Sequence, residues 1–180
     1  MTGYFGFVGK IILAGGLLFA CTTASAQVQT AHEGSVVSQV SVRDSNNEPV
    51  PLPYFGEKHL LIFYPDPDKA SQNQEFTDYL EEHNIKSDNI YSFGVANLAD
   101  APIFPNSLMR SIIRKKERKT GATIYTDPSH ILRDAWGLGN VNNLFTIIFV
   151  TKDGHIAYLR KGELSEQDKA DFFAVIEKYR

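Results

Sequence analysis

Leu60-Leu61-Ile62-Phe63-Tyr64-Pro65-Asp66-Pro67-Asp68-Lys69-Ala70-Ser71-Gln72 is the stretch on which the fold reading turns. Its first five residues are continuously apolar and stop at Pro65, the pattern of a central strand covered on both faces. Beyond Pro65 the character changes at once. Asp66 or Asp68 can cap a helix, and Pro67 suits a first turn. The helix then carries Phe76, Tyr79 and Leu80 on one face at i, i+3 and i+4. A buried strand running directly into a helix is the first half of a βαβ unit.

The pattern continues toward the C-terminus. Ile90 to Ala96 (IYSFGVA) predicts the next strand, and Ala101 to Pro105 a loop with two prolines. Leu108, Met109, Ile112 and Ile113 predict a second helix with an inward apolar stripe, ended by Gly121. Ala122 to Tyr125 reads as a short strand, and Asp127-Pro128 as the cap and first residue of a short helix reaching Trp136. Leu144 to Val150 (LFTIIFV) is a further buried strand, and Lys152-Asp153-Gly154 turns the chain back through His155 to Arg160. Ser165 to Asp168 caps a last helix with Phe172, Phe173, Ile176 and Tyr179 inward. Toward the N-terminus, the valine-rich segment Val36 to Val42, a turn at Asp44 to Asn47 and Val50 to Leu52 predict a hairpin.

This order predicts an α/β protein. Its three layers would hold a central mixed sheet with much parallel pairing, helices on both faces and an N-terminal β-hairpin extension. It is similar to the thioredoxin fold in its extended, peroxiredoxin-like form. Residues 36–180 read as one domain, preceded by a flexible polar leader over 27–35. The composition is ordinarily globular, 43% hydrophobic and 22% charged, and the formal net charge of −3 gives no field for nucleic acid.

Residues 1–26 have the features of an export signal. Lys10 precedes the apolar run Ile11 to Ala20, which is too short to span a bilayer, and Ala24-Ser25-Ala26 offers a cleavage site after Ala26. A periplasmic or secreted protein follows. The alternative is a lipoprotein anchored through Cys21, since Leu18-Phe19-Ala20-Cys21 resembles a lipobox. Cys21 is the one cysteine of the sequence, so cleavage would discard it and acylation would occupy its sulfur.

Two resemblances sharpen the picture. Phe63-Tyr64-Pro65 is similar to the strand end that enters a peroxiredoxin active site, where a cysteine follows at the helix start. The corresponding Asp66 to Gln72 holds none. A second likeness rests on Val95-Ala96-Asn97-Leu98-Ala99-Asp100-Ala101-Pro102, Met109-Arg110-Ser111 with Lys115-Lys116, and Asp127 with Ala135-Trp136-Gly137-Leu138. It extends through Phe149 to His155 and Lys161 to Ser165. Together these resemble the YtfJ family, periplasmic thioredoxin-like proteins without paired redox cysteines. The thioredoxin fold also places a cis-proline before the strand that begins near Leu144, and Phe145-Thr146 stands there instead. Thiol redox chemistry and its peptide clamp are both expected to be absent.

Candidate sites follow from these positions. Asp66, Asp68 and Ser71, with Phe145 and Thr146, form an expected vestigial site. A helix dipole stabilises an anion by only ~0.3–1 kcal/mol, too little to ionise a serine, so Ser71 would need His59 or His83 as a base. The two carboxylates could bind a cation or a basic partner, although helix capping explains them equally. Asp127, His130 and Asp134 can be drawn as a metal set, but read better as a cap and an i, i+4 surface pair; no cofactor or metal is expected. Arg110, Arg114, Lys115, Lys116, Arg118 and Lys119 make a basic helix face. It suits anionic headgroups, lipopolysaccharide or an acidic protein, or simply solvates the helix. The functional expectation is a binding or accessory domain of the envelope, acting on an unknown protein or envelope component. The alternatives are a non-thiol enzyme at Asp66, Asp68 and Ser71, and a redox-pathway partner using another protein's cysteines.

Overall fold

The structure is a computed structural model describing residues 30–83, 87–101 and 105–180; the segment read as an export signal, with Cys21, lies outside them. In chain order the elements are β1 (Ser41–Arg43), β2 (Pro49–Pro51), β3 (His59–Pro65), α1 (Gln74–Glu82) and β4 (Ile90–Ala96). Then follow α2 (Asn106–Thr120), β5 (Ile124–Thr126), α3 (Ile131–Ala135), β6 (Phe145–Val150), β7 (Ile156–Lys161) and α4 (Glu166–Tyr179). One seven-stranded sheet has the order β2-β1-β5-β4-β3-β6-β7. Pairs β3–β4 and β4–β5 are parallel and the other neighbours antiparallel, so the sheet is mixed and less parallel than alternation suggested.

Period-two alternation along β3 divides the interior. Leu60, Ile62 and Tyr64 enter a core with Val42, Phe93, Val95, Leu132 and Trp136, under α3. Leu61 and Phe63 enter another with Phe76, Leu80, Phe172 and Ile176, under α1 and α4. Phe172 meets the rings of Phe76 and Tyr158 edge-on at 5.2 and 5.6 Å. Such pairs add ~0.5–1.5 kcal/mol, whereas burying the ring itself contributes ~1.5–3 kcal/mol, so burial sets the helix position. Ala96, Leu98 and Ile113 form a smaller cluster beneath α2.

Several local expectations are corrected. The segment expected as a strand over Val36 to Val42 contributes only Ser41–Arg43 to the sheet. Its earlier part runs beside the start of β7, where the Val37 amide donates to Gly154 O at 2.8 Å. Gly154 has φ of 82°, and a Cβ there would stand 3.0 Å from Val37 O, so the approach requires glycine. Residues 31–35, expected as flexible leader, are bound: Ala31 N–H donates to Gly137 O and Gly34 N–H to Ile156 O. Glu33 meets Arg160, which also holds Asp168 and Asp171 of α4.

The helix after β3 is divided as well. A single 3-10 turn, Pro67–Lys69, is capped by Asp66, and α1 begins only after Asn73. Gly121 ends α2 in the left-handed conformation at φ 70°, as expected for a helix C-cap. Ser165 and Asp168 form a capping box at α4.

Candidate functional site

Strand β3 delivers the chain to the C-terminal edge of the central strands, where open α/β sheets bind their ligands. Asp66 comes first. It is 1% exposed; its Oδ1 accepts from the Asp68 amide at 2.9 Å and its Oδ2 from the Asn143 amide at 2.8 Å. Its own amide donates to Leu144 O at 2.9 Å. Gln72 Oε1 accepts from the Phe145 amide at 2.9 Å. Asn73 donates to Gly162 O and accepts from the Leu164 amide, which explains why its side chain does not cap α1. Residues 66–73 are thereby stitched to 143–145 and 162–164.

The expected vestigial site separates on this frame. Asp66 reaches the segment leading into Phe145 and Thr146, both buried. Asp68 and Ser71 face solvent, and neither side chain has a hydrogen-bond partner among the described residues. The paired carboxylates are therefore not a pair: one is an internal acceptor, the other is exposed.

Neither expected histidine serves Ser71. His59 opens β3 while Ser71 lies past its other end, and seven residues of strand span about 20 Å. Its Nδ1 accepts from the Lys152 amide at 3.0 Å, and its ring packs against both Phe149 and Tyr179. His83 stacks on Tyr79 at the end of α1.

Burial, opposed by Asp153, holds the His59 ring below its ordinary pKa. The unfolded chain then takes up the proton first as pH falls, so this contribution is complete above pH about 6.5 and shrinks below it. A second window comes from Asp168, whose carboxyl is held below the usual range by Ser165 and then Arg160. That stabilisation is present above the unfolded carboxylate value of about 3.9 and is lost as pH falls through the native one. Urea midpoints measured from pH 8 to 3 are expected to decline in two steps. H59N should remove the first step and leave the second.

Sequence reasoning missed a buried polar cluster at the ends of β3, β4 and β5. The Tyr64 hydroxyl donates to Asp127 Oδ2 at 3.0 Å, and the same carboxylate accepts from the Ile131 and Leu132 amides at 2.8 and 3.0 Å. Burial, then Asp127, pushes the Tyr64 phenol far above its ordinary range, so it stays protonated and donates. Asn97 Nδ2 donates to Asp100 Oδ2 at 2.6 Å, and Asp100 Oδ1 lies 2.9 Å from His130 Nε2. That last contact is an ion-pair distance without hydrogen-bond directionality. Asn97 Oδ1 and Thr146 Oγ1 are buried with no partner among the described residues. Polar residues just past predicted strands were the available signal.

The metal set is dispersed accordingly. Asp127 faces Tyr64, His130 faces Asp100, and Asp134 pairs with Arg133 at 2.7 Å. His130 has φ of 57° ahead of α3, so it never joins the helix face on which an i, i+4 pair with Asp134 would form. Asp127 accepts from the first two amides of this helix, but the helix starts at Ile131 rather than at Pro128, and His130 rather than Asp127 is its N-cap residue.

The basic helix is also divided by function. Arg114 donates to Ser45 O at 2.7 Å and Arg110 to Asn47 Oδ1 at 3.2 Å, tying α2 to the β1–β2 turn. Lys115, Lys116, Arg118 and Lys119 are exposed and form no ion pair among the described residues. Of the expected inward stripe only Ile113 is buried, with Met109 partly so. Leu108 and Ile112 point to solvent.

No family model matches the chain, and no curated protein matches it by sequence. Solved structures match its fold. The pneumococcal exposed lipoprotein thioredoxin of Streptococcus pneumoniae superposes with a TM-score of 0.59 at 13% identity, covering 78% of this chain and 99% of that one. A putative thioredoxin from Neisseria meningitidis gives 0.56 at 19% identity over 82% and 92%. A peroxiredoxin-like protein from Aquifex aeolicus gives 0.56 at 10% identity over 82% and 89%. These likenesses define a thioredoxin-like α/β fold. At such identities they carry no activity across.

Proposed function

We propose that the protein is an exported, non-redox member of the thioredoxin-like proteins that serves as a binding or accessory domain of the bacterial envelope. One observation carries this reading: the positions at which the fold performs thiol chemistry are occupied by structural hydrogen bonds. Asp66 and Gln72 spend their acceptors on the amides of Asn143 and Phe145. A catalytic thiolate needs a cysteine at the helix start, and residues 30–180 contain none. The export features of residues 1–26 support the envelope assignment, either free after cleavage at Ala26 or anchored at Cys21. The exposed lipoprotein thioredoxin among the fold neighbours gives the anchored form a precedent. The segments resembling the YtfJ family, Asn97 to Asp100 and Asp127 among them, coincide with the buried polar cluster. This favours a structural role for these residues over an active site. A serine enzyme at Ser71 gains no support, since no base stands beside it.

Protein isolated after export is expected to reduce neither insulin disulfides nor peroxides, with dithiothreitol or thioredoxin reductase as electron source. Thiol-dependent turnover by clean protein would overturn the proposal.

A further inference from the structure

The exposed face of α2 is built unlike an ordinary solvated surface. At 100° per residue, Leu108, Ile112, Lys115 and Lys119 fall along one narrow stripe, flanked by Lys116 and Arg118. Leu108 is 46% and Ile112 53% exposed, although both are large aliphatic side chains. The opposite side of the helix is already used: Ile113 packs on Ala96 and Leu98, and Arg110 and Arg114 grip the β1–β2 turn. The stripe is thus held outward on a fixed helix, with apolar groups in its N-terminal half and cations in its C-terminal half. Its length is about 16 Å.

We propose that this stripe docks on an anionic lipid surface, resting on the envelope reading above and naming the component that it contacts. Charge complementarity demands an anionic occupant. The helix has six basic residues and one acidic in a chain of net charge −3, so the rest of the chain is net acidic and is repelled by such a surface. Of the helix's four cations without an ion pair among the described residues, three are lysines, compact charges suited to a diffuse sheet of headgroups rather than to bidentate capture of single carboxylates. Leu108 and Ile112 supply the apolar groups that an interfacial helix sets at the acyl boundary. Inserted at the level of the acyl boundary, they would be removed from water beside the charges that brought them there.

The test uses protein purified after export, with whatever N-terminus it carries read by mass spectrometry, so that wild type and variants share it. Sedimentation is measured with vesicles of phosphatidylcholine alone and with added phosphatidylglycerol. Wild type should bind the anionic vesicles more tightly than phosphatidylcholine alone, and rising salt should weaken that excess. K115E/K119E is expected to lower the partition coefficient about tenfold or more, and L108S/I112S severalfold. Both pairs are solvent-facing, so thermal melting should be unchanged and a folding defect would show there. Equal binding by wild type and both variants would overturn the proposal. So would loss on charge reversal without loss in L108S/I112S, or failure of the wild type to favour the phosphatidylglycerol vesicles. None of these results touches the redox assay, so the two proposals fail separately.

Discussion

Asp127→Ala is expected to destabilise the protein by about 3–4 kcal/mol, lowering its melting temperature by about 10 °C. Four donors converge on this carboxylate, the Tyr64 hydroxyl and the amides of Ile131, Leu132 and, at 3.4 Å, Ser129, and truncation leaves all four without it. A buried group losing its partner costs ~1–3 kcal/mol, and a lost helix cap ~1 kcal/mol, with incomplete additivity between neighbours. Two controls separate the contributions. Tyr64→Phe removes only one donor, and the carboxylate keeps its amide donors; about 1 kcal/mol is expected. Asp127→Asn retains one carbonyl acceptor and should fall between. Differential scanning calorimetry of the three variants checks the order. An Asp127→Ala protein as stable as wild type would show that the cluster does not brace the sheet edge.

Asp66→Ala should cost about 2–3 kcal/mol, because the amides of Asp68 and Asn143 lose their acceptor in a site that is 1% exposed. Asn143 has φ of 57°, a conformation that costs an ordinary residue of order 1 kcal/mol and persists only where neighbours enforce it. Removing Asp66 removes one enforcer. Asp68→Ala and Ser71→Ala, by contrast, should change the urea midpoint by an amount corresponding to less than about 0.5 kcal/mol. If these residues formed an active site the ranking would invert, with exposed positions abolishing an activity and Asp66 leaving stability intact.

Where the sequence was legible, the determinants were local. Strand β4 matches its predicted bounds because IYSFGVA has turn residues before it and an asparagine after. The Gly121 stop and the Ser165–Asp168 box depend on a few adjacent residues, and both were readable. The failures come from tertiary choice. Ile112 and Ile113 are 100° apart on a helix, so a narrow contact with β4 and β5 can bury one, and the remaining surface keeps the other outside. The valines of residues 36–42 bury Val37, Val40 and Val42, yet only the last stretch enters the sheet as a strand, and Val36 makes a single bridge to His155. Asp66 was readable as a helix cap, and it is one for the 3-10 turn. Its bond to Asn143, 77 residues away, was not, nor was the Tyr64–Asp127 bond across 63. Pattern reading reports which residues can cap or pack. It does not report which distant amide shares the same carboxylate.

Native-state hydrogen exchange at the amides of Asn143 and Phe145 tests the account most directly. Both lie at the mouth of β6, where the fold would hold a substrate chain, and both are said to be engaged by Asp66 and Gln72 instead. Slow exchange at both amides, becoming fast at Asn143 in D66A and at Phe145 in Q72A, is the predicted result. Exchange at the rate of an open loop in the wild-type protein would contradict it, and would return that edge of the sheet to the status of an available site.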